Sequence, residues 1–272
     1  GTVETVRTQA RSAERRFDRR TALLAGAGAA VAAVLPASAR AVRPPRPRIQ
    51  DLTHVFAEGF PVFAFDPPAR ETLVTIPSAG FYAQRWTFGE HSGTHMDAPG
   101  HFVSGGRLAP EITPQELLVP IVVVDISARA AEDPDTALTV DDLIAFERRH
   151  GRIPEGALVC MHSGWAAKVD DPLAFKGGAS FPNYHFPGFH VEAALWLAER
   201  RNVTGIGVDT LSLDPGNSLT FPVHVEFLGT DRYGLENLAN LDKIPPRGAL
   251  AYVGLIPWEE GSGGPCRVIA SW

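Results

Sequence analysis

A short histidine-rich segment constrains this chain more than any other part of its sequence. Residues 91–102 read HSGTHMDAPGHF and hold three of the nine histidines of the chain. Gly93, Pro99 and Gly100 disfavour a regular helix here, because glycine and proline both destabilise a helix interior. The polar side chains must therefore be presented by an extended, bent backbone that the rest of the fold holds in place.

An extended backbone of this kind brings metal-binding groups together. His95 and Asp97 lie on one face of an extended segment at positions i and i+2, and a bend at Gly93 brings His91 toward them. Two neutral imidazoles and one carboxylate suit a borderline divalent ion such as Zn²⁺ or Mn²⁺. The spacing therefore predicts a metal site formed by His91, His95 and Asp97.

The chain after residue 48 alternates strand-like and helix-like segments. Four short runs are rich in β-branched residues, as expected for strands that are buried on both faces. These strands are predicted at residues 120–126, 157–162, 203–209 and 249–255. Helices are predicted at residues 113–118, 139–151 and 190–202, from good N-cap residues at their starts. No linker-like stretch interrupts residues 49–272, so the pattern predicts one α/β domain.

The first 41 residues have the pattern of a cleaved export signal. An arginine-rich region precedes an apolar run at residues 22–35, and an A-x-A cleavage site follows at residues 37–39. The run is shorter than the roughly 20 residues that cross a bilayer. Arg19 and Arg20 directly before it resemble a twin-arginine signal, with an ordinary secretory signal as the alternative. We therefore expect a bacterial protein that is exported to the periplasm or secreted.

Charge excludes one class of partner. Residues 42–48, VRPPRPR, predict a proline-stiffened linker between the signal and the mature domain at 49–272. The signal carries seven arginines and three acidic residues, so its removal changes the formal net charge from −6 to −10. Such an acidic body is a poor nucleic-acid binder. We expect a small-molecule substrate, no nucleic acid and no stable membrane span once the signal is removed.

The histidine-rich segment resembles a known family, the cyclase family of metal-dependent hydrolases, which includes bacterial kynurenine formamidases and isatin hydrolases. Every fixed position of the family pattern H-x-G-T-H-x-D-x-P-x-H is matched, by His91, Gly93, Thr94, His95, Asp97, Pro99 and His101. Similar segments follow at residues 51–54 (DLTH), 205–216 (GIGVDTLSLDPG) and 234–238 (GLENL). The resemblance implies a single swivelling β/β/α-type domain with a mixed sheet, flanking helices and long site-forming loops. A homodimer or homotetramer is expected with it.

The resemblance also implies roles for individual residues. One metal would be held by the three residues of the predicted site, with Asp97 able to bridge to a second ion. His224 and Glu236, which have the twelve-residue spacing of the two-metal formamidases, would complete that second site. One or two Zn²⁺ or Mn²⁺ ions per chain are therefore expected. His101 corresponds to the proton-transfer residue of the family, which implies hydrolysis of a C–N amide bond with His101 as general acid and base.

The substrate pocket is the least constrained part of the prediction. Aromatic residues crowd the segment before the motif and suggest an apolar pocket for an aryl formamide or a cyclic amide, although such residues also suit a core. The candidates are Phe63, Phe65, Tyr82, Trp86 and His54. A lactone or ester hydrolase with the same site is one alternative, and a non-catalytic metal-binding or ligand-binding protein is another. His101 favours an enzyme, because metal storage needs no unligated imidazole.

The export prediction depends on the arginine pair. Arg19→Lys combined with Arg20→Lys should leave the precursor in the cytoplasm, because a twin-arginine signal is read through that pair. Immunoblotting of cell fractions measures the distribution. The neighbouring pair offers a matched control, since Arg15→Lys with Arg16→Lys should be exported normally. Undiminished export of the first double variant would identify an ordinary secretory signal instead.

Overall fold

The described part of the chain, residues 46–272 of a computed structural model, contains twelve strands and six α-helices. The predicted export signal and the first four residues of the predicted linker lie outside the described residues. The strands are β1 (Ile49–Asp51), β2 (Ala69–Val74), β3 (Ala83–Thr87), β4 (His95–Asp97), β5 (Leu118–Asp125), β6 (Ala137–Leu138), β7 (Leu158–His162), β8 (Gly188–Phe189), β9 (Gly205–Val208), β10 (Tyr233–Glu236), β11 (Ala249–Leu255) and β12 (Gly263–Ser271). The helices are α1 (Ile76–Ala79), α2 (Ser127–Glu132), α3 (Val140–His150), α4 (Pro172–Lys176), α5 (Val191–Arg201) and α6 (Pro222–Leu228). Short 3-10 helices lie at Pro99–His101, Ala109–Glu111, Trp165–Lys168 and Leu241–Lys243.

Seven of the strands close into a barrel. Their order is β12-β11-β5-β7-β9-β10-β4, and β4 pairs again with β12 to complete the ring. Neighbours from β5 to β10 are parallel, whereas β4, β11 and β12 pair antiparallel with the strands beside them. The expectation of a mixed α/β sheet is therefore confirmed, and the sheet is closed.

Most of the predicted elements form near their predicted positions. The four predicted strands correspond to β5, β7, β9 and β11, and two of the predicted helices to α3 and α5. The expectation that β11 is buried on both faces is wrong, because its residues alternate between buried and exposed. The helix predicted at residues 113–118 is also wrong. Glu116 does accept hydrogen bonds from the backbone N–H and hydroxyl of Thr113, but the chain makes only a turn before β5.

Two apolar cores occupy the two faces of the barrel wall. One lies between the strands and helices α3, α5 and α6, and includes Leu143, Leu197 and Phe227. The other collects inward-facing side chains of the ring strands, Met96 among them, together with the free thiols of Cys160 and Cys266. Side chains alternate along a strand. Because Met96 is fixed inside the barrel, its neighbours on β4 must point out of it.

The loop after β4 is fastened by an arginine. Arg107 accepts a hydrogen bond from the Gly100 N–H at 2.8 Å through its carbonyl. Its guanidinium donates to both carboxylate oxygens of Glu116 at 3.0 and 2.9 Å and to Asp231 at 2.7 Å. This two-point fork fixes the segment that carries His101.

No helix within residues 46–272 combines the length and apolar character that a bilayer crossing requires.

Replacing Glu116, the carboxylate that accepts both hydrogen bonds of the Arg107 fork, should destabilise the fold in a pH-dependent way. Partial burial raises the pKa of Glu116, but hydrogen bonds from Arg107 and Thr113 outweigh it and lower that pKa to about 2. The stabilisation is thus fully present above the ordinary value of 4.5 and is lost as the pH falls toward 2. Glu116→Gln should lower the free energy of unfolding by roughly 1–3 kcal/mol at pH 7.

Urea unfolding at pH 7 and pH 3 measures this difference, and the gap between wild type and variant should shrink at pH 3. Glu71→Gln is a matched control, because Glu71 forms its ion pair with Arg85 on the exposed surface and such pairs contribute little. Equal effects of the two substitutions would contradict the anchoring role of Arg107.

Candidate metal centre and active-site cavity

Strand register brings the first three donor groups together. β10 pairs antiparallel with β4 so that Glu236 lies directly opposite His95. His95 Nε2 is 3.3 Å from Asp97 Oδ1 and 3.3 Å from Glu236 Oε2. All three side chains are buried and project from the outer face of the barrel, on the side opposite Met96.

A backbone bend before β4 sets the orientation of His95. Gly93 has a φ of 66°, and the Phe56 ring lies where a Cβ atom would stand, so glycine is required at this position. The Gly93 carbonyl accepts hydrogen bonds from His95 Nδ1 at 2.9 Å and from the Asn237 side-chain amide at 2.8 Å. With Nδ1 occupied, His95 presents Nε2 to the two carboxylates.

Helix α6 supplies a further histidine to the same cluster. His224 Nε2 lies 3.4 Å from Asp97 Oδ2 and 3.1 Å from Glu236 Oε1. The buried carboxylate of Asp214 accepts hydrogen bonds from the backbone N–H groups of Val223 and His224, at 2.8 and 3.1 Å, and from His224 Nδ1 at 2.6 Å. Asp214 therefore holds both the first turn of the helix and the ring of His224.

His91 and His101 lie on the other side of Asp97. His91 Nδ1 is 2.6 Å from Asp97 Oδ1, and the His101 ring stacks on the His91 ring with centroids 3.7 Å apart. Two overlapping sets of donor atoms are each within 4.8 Å of one another, one from His91, Asp97 and His101 and one from His95, Asp97 and Glu236. His101 thus lies within reach of a metal as well as of a substrate, which its sequence position alone did not indicate.

The charges of this cluster fit a cation. Among the described residues, the buried atoms His95 Nε2 and Asp97 Oδ2 have no hydrogen-bond partner, a costly condition for buried polar groups. Burial raises the pKa of Asp97, but the imidazoles of His224, His91 and His95 beside its two oxygens outweigh burial and hold that pKa well below its ordinary value.

The pKa of His95, on β4, also reflects the two buried carboxylates. Burial lowers the pKa of His95, yet the carboxylates of Asp97 and Glu236, each with an oxygen 3.3 Å from its Nε2, outweigh burial and raise that pKa to about 10. Two buried carboxylates therefore hold positive charge on the imidazoles around them. A divalent ion can replace those protons and complete the coordination of the same donor atoms.

His101 has the opposite electrostatic character. Burial lowers the pKa of its imidazole to about 4, and the field of Asp97, which acts in the other direction, does not compensate. The ring is therefore neutral near pH 7, which is the form that accepts a proton.

An aromatic cavity opens above the donor groups. Its volume is about 350 Å³, and the rings of His91, His95, His101 and His224 reach its surface. The phenylalanines that line it are Phe63, Phe65, Phe102, Phe181 and Phe221. Phe63 packs at 5.5 Å from both Phe181 and Phe221, so three distant parts of the chain form one apolar wall.

The structure divides the candidate pocket residues into two groups. Phe63 and Phe65 line the cavity, whereas Tyr82, Trp86 and His54 do not. Tyr82 and Trp86 lie on the β2–β3 hairpin, which forms a sheet separate from the barrel, where Tyr82 is exposed and Trp86 packs on Phe56. His54 faces a different depression, which also contains Asp170. Closeness in sequence to the metal motif did not place these three side chains at the site.

Several residues of the site gave no signal that the sequence analysis used. Phe181 and Phe221 reach the cavity from two separate segments, and nothing local distinguishes them from core residues. Phe102 does have a local signal, because it ends the histidine-rich segment. Asp214 lies within the segment similar to the family pattern, ten residues before His224. An aspartate in that segment, shortly before a helix that carries a ligand candidate, is the signal that would have identified it.

Comparison with known proteins agrees with this geometry. Residues 50–215 match the family described as "Putative cyclase". Over 199 residues the chain is 36% identical to an isatin hydrolase of Roseibium aggregatum, with 70% of this chain and 75% of that protein aligned. It is 29% identical over 206 residues to a kynurenine formamidase of Bordetella avium, with 73% and 86% aligned.

A solved structure extends the likeness to the fold. Isatin hydrolase A from Ralstonia solanacearum superimposes with a TM-score of 0.78 at 39% identity, covering 83% of this chain and 92% of that chain. The family match and these identities over 70% or more of the chain lead to one conclusion. The chain belongs to the cyclase family of hydrolases.

Proposed function

We propose that this protein is a metal-dependent hydrolase that cleaves the C–N bond of an aryl formamide or a cyclic amide. One observation carries the proposal: His101 stacks on His91, one of five metal-donor side chains that cluster, largely buried, at the floor of an aromatic cavity. The similar proteins are, by name, an isatin hydrolase and a kynurenine formamidase. Among the described residues, no contact specifically favours a lactone or ester hydrolase, and none favours a non-catalytic binding protein.

The donor cluster would hold one or two Zn²⁺ or Mn²⁺ ions. His91, His95 and Asp97 form the first site, and Asp97 is shared with a second site that His224 and Glu236 complete. The second oxygen of Asp97 supports this sharing, since Oδ1 faces His91 and His95 while Oδ2 faces His224. When bound there, a divalent ion supplies an activated water nucleophile and polarises the substrate carbonyl.

His101 carries the proton. Its neutral ring accepts a proton from the attacking water and returns it to the nitrogen of the breaking C–N bond, so that the amine leaves uncharged. Stacking on His91 holds the ring at the edge of the cavity, where both transfers occur. The five phenylalanines exclude water and select a flat, apolar acyl or aryl group.

We also propose that the mature chain is exported and forms a homodimer or homotetramer. The β2–β3 hairpin supports self-association, because it exposes apolar side chains that a monomer would leave in water. Leu73, Ile76, Phe81 and Tyr82 are between 44% and 67% exposed. As part of the same proposal, we assign the domain to the swivelling β/β/α type. The loops that carry Phe63 and Phe181 would form the opening of the cavity.

Metal content tests the second site. Purified protein saturated with Zn²⁺ or Mn²⁺ should hold about two ions per chain, and His224→Ala should reduce this to about one, because Asp97 and the two histidines of the first site remain. Elemental analysis after gel filtration measures the ratio. His150→Ala, at the end of α3 and away from the cavity, should leave it unchanged. One ion per chain in both wild type and His224→Ala would identify a site with a single metal.

A second substitution separates proton transfer from metal binding. His101→Ala should keep the bound metal and lower kcat by roughly 10²- to 10⁴-fold on an aryl formamide or isatin-like ring, the usual contribution of a positioned acid–base group. Asp97→Ala should instead lose metal and activity together, because it removes the shared ligand.

Steady-state kinetics with elemental analysis of the same samples distinguishes these outcomes, and His150→Ala again serves as the control. Loss of metal from His101→Ala would make His101 a ligand of the set that contains His91 and Asp97. Full activity with metal retained would place the proton carrier on another side chain.

A further inference from the structure

His91 is held from the side that faces away from Asp97. Its Nε2 lies 2.8 Å from the hydroxyl of Ser262, a residue just before β12 that no part of the sequence pattern connects with the metal motif. Ser262 in turn contacts Glu90, the residue before His91. The Ser262 hydroxyl donates to Glu90 Oε1 at 2.7 Å, and the Ser262 N–H donates to Glu90 Oε2 at 3.0 Å.

This chain of hydrogen bonds has one consistent direction. A carboxylate only accepts, and a serine hydroxyl has one proton to donate. Because that proton points to Glu90, the Ser262 oxygen must accept at its other contact, and the donor there is the Nε2–H of His91. Nδ1 of His91 therefore faces Asp97 Oδ1 at 2.6 Å, and a metal ion bound there would take the place of the proton that this contact shares.

The pair is fixed to the ligand loop by the backbone. The Ser262 carbonyl accepts from the Ala98 N–H at 2.9 Å, one residue beyond Asp97. Gly263 follows, and a Cβ atom at that position would overlap the Met96 carbonyl oxygen and lie 2.9 Å from the His91 ring. The absence of a side chain at Gly263 lets β12 approach β4 closely enough for Ser262 to reach His91.

The arrangement differs from that of the other two histidines. His95 and His224 both use Nδ1 for a supporting hydrogen bond and present Nε2 to the carboxylates. His91 uses Nε2 for support and presents Nδ1. A ring held in the other tautomer would direct a proton, rather than a lone pair, at the metal site.

We propose that Ser262 and Glu90 are positioning residues that keep the proton of His91 on Nε2, so that Nδ1 is its metal-binding atom. The inference rests on the proposed metal site and adds to it the source of the tautomer. Partners that hold a ligating histidine through its other nitrogen typically change metal affinity by 10- to 100-fold when removed. Neither residue touches the substrate cavity.

Zinc affinity measured by chelator competition, without substrate, tests this role on the full mature chain. Ser262→Ala should weaken Zn²⁺ binding by roughly 10- to 100-fold, and Ser262→Thr, which keeps the hydroxyl, should restore most of it. Glu90→Ala should weaken binding, and Glu90→Gln, which keeps one oxygen acceptor, should do so less. Ser271→Ala, at the far end of β12 and remote from the site, is the matched control and should bind as wild type.

A spectroscopic measurement separates the tautomer from general loss of structure. Long-range ¹H–¹⁵N correlation spectra of ¹⁵N-histidine protein loaded with Zn²⁺ should show His91 protonated at Nε2 in the wild type. In Ser262→Ala, the spectra should show that His91 is no longer held in the Nε2-protonated form alone. If Ser262→Ala does not fold, the more exposed Glu90 carries the test through Glu90→Ala and Glu90→Gln.

Wild-type zinc affinity and an unchanged His91 signal in Ser262→Ala and Glu90→Ala would overturn the proposal. Weakened binding that Ser262→Thr does not restore, with the His91 tautomer unchanged, would overturn it as well. Because zinc affinity is measured without substrate, either result leaves the proposed hydrolase activity standing. Normal affinity and tautomer in an inactive wild-type protein would refute the activity alone.

Discussion

The double pairing of β4, a strand of only three residues, is the constraint on which the rest of the structure depends. It hydrogen-bonds to β10 on one side and to β12 on the other, and so closes the barrel. Met96 enters the interior core, which forces His95 and Asp97 outward. Pairing with β10 then sets Glu236 beside His95, and pairing with β12 sets Ser262 beside His91. The pairings that close the barrel are therefore the same ones that bring the donor groups together.

Burial makes this site costly unless a cation completes it. Asp97 and Glu236 are almost fully buried beside three imidazoles, and charge of either sign in such surroundings requires a partner. Each histidine that would bind such a cation has its own supporting hydrogen bond. The Gly93 carbonyl holds His95, Asp214 holds His224 and Ser262 holds His91. Each restraint leaves one ring nitrogen directed at the same small volume, which prepares the site before an ion binds.

The cavity above the site combines an apolar wall with a polar floor. Phenylalanines from the segment before the motif, from the loop at residue 181 and from the residue preceding α6 meet over the histidine rings. An apolar wall lowers the local dielectric and so strengthens the electrostatic contacts at the floor. Burial depresses the pKa of His101, whereas at His95 the carboxylates of Asp97 and Glu236 outweigh burial and raise the pKa.

Local sequence determined four strands of the barrel, the two long helices and the grouping of the first candidate metal donors. These follow from short-range sterics and side-chain periodicity, and His91, His95 and Asp97 lie within seven residues of one another. Resemblance to a family extended the set to His101, His224 and Glu236. Only the tertiary structure decided that Asp214 and Ser262 restrain histidines, that Phe181 and Phe221 line the cavity, and that Tyr82 and Trp86 lie outside it. These contacts depend on strand register and on barrel closure, which join distant segments of the chain. Ser262 and His91, for example, are more than 100 residues apart, and no local pattern encodes such a contact.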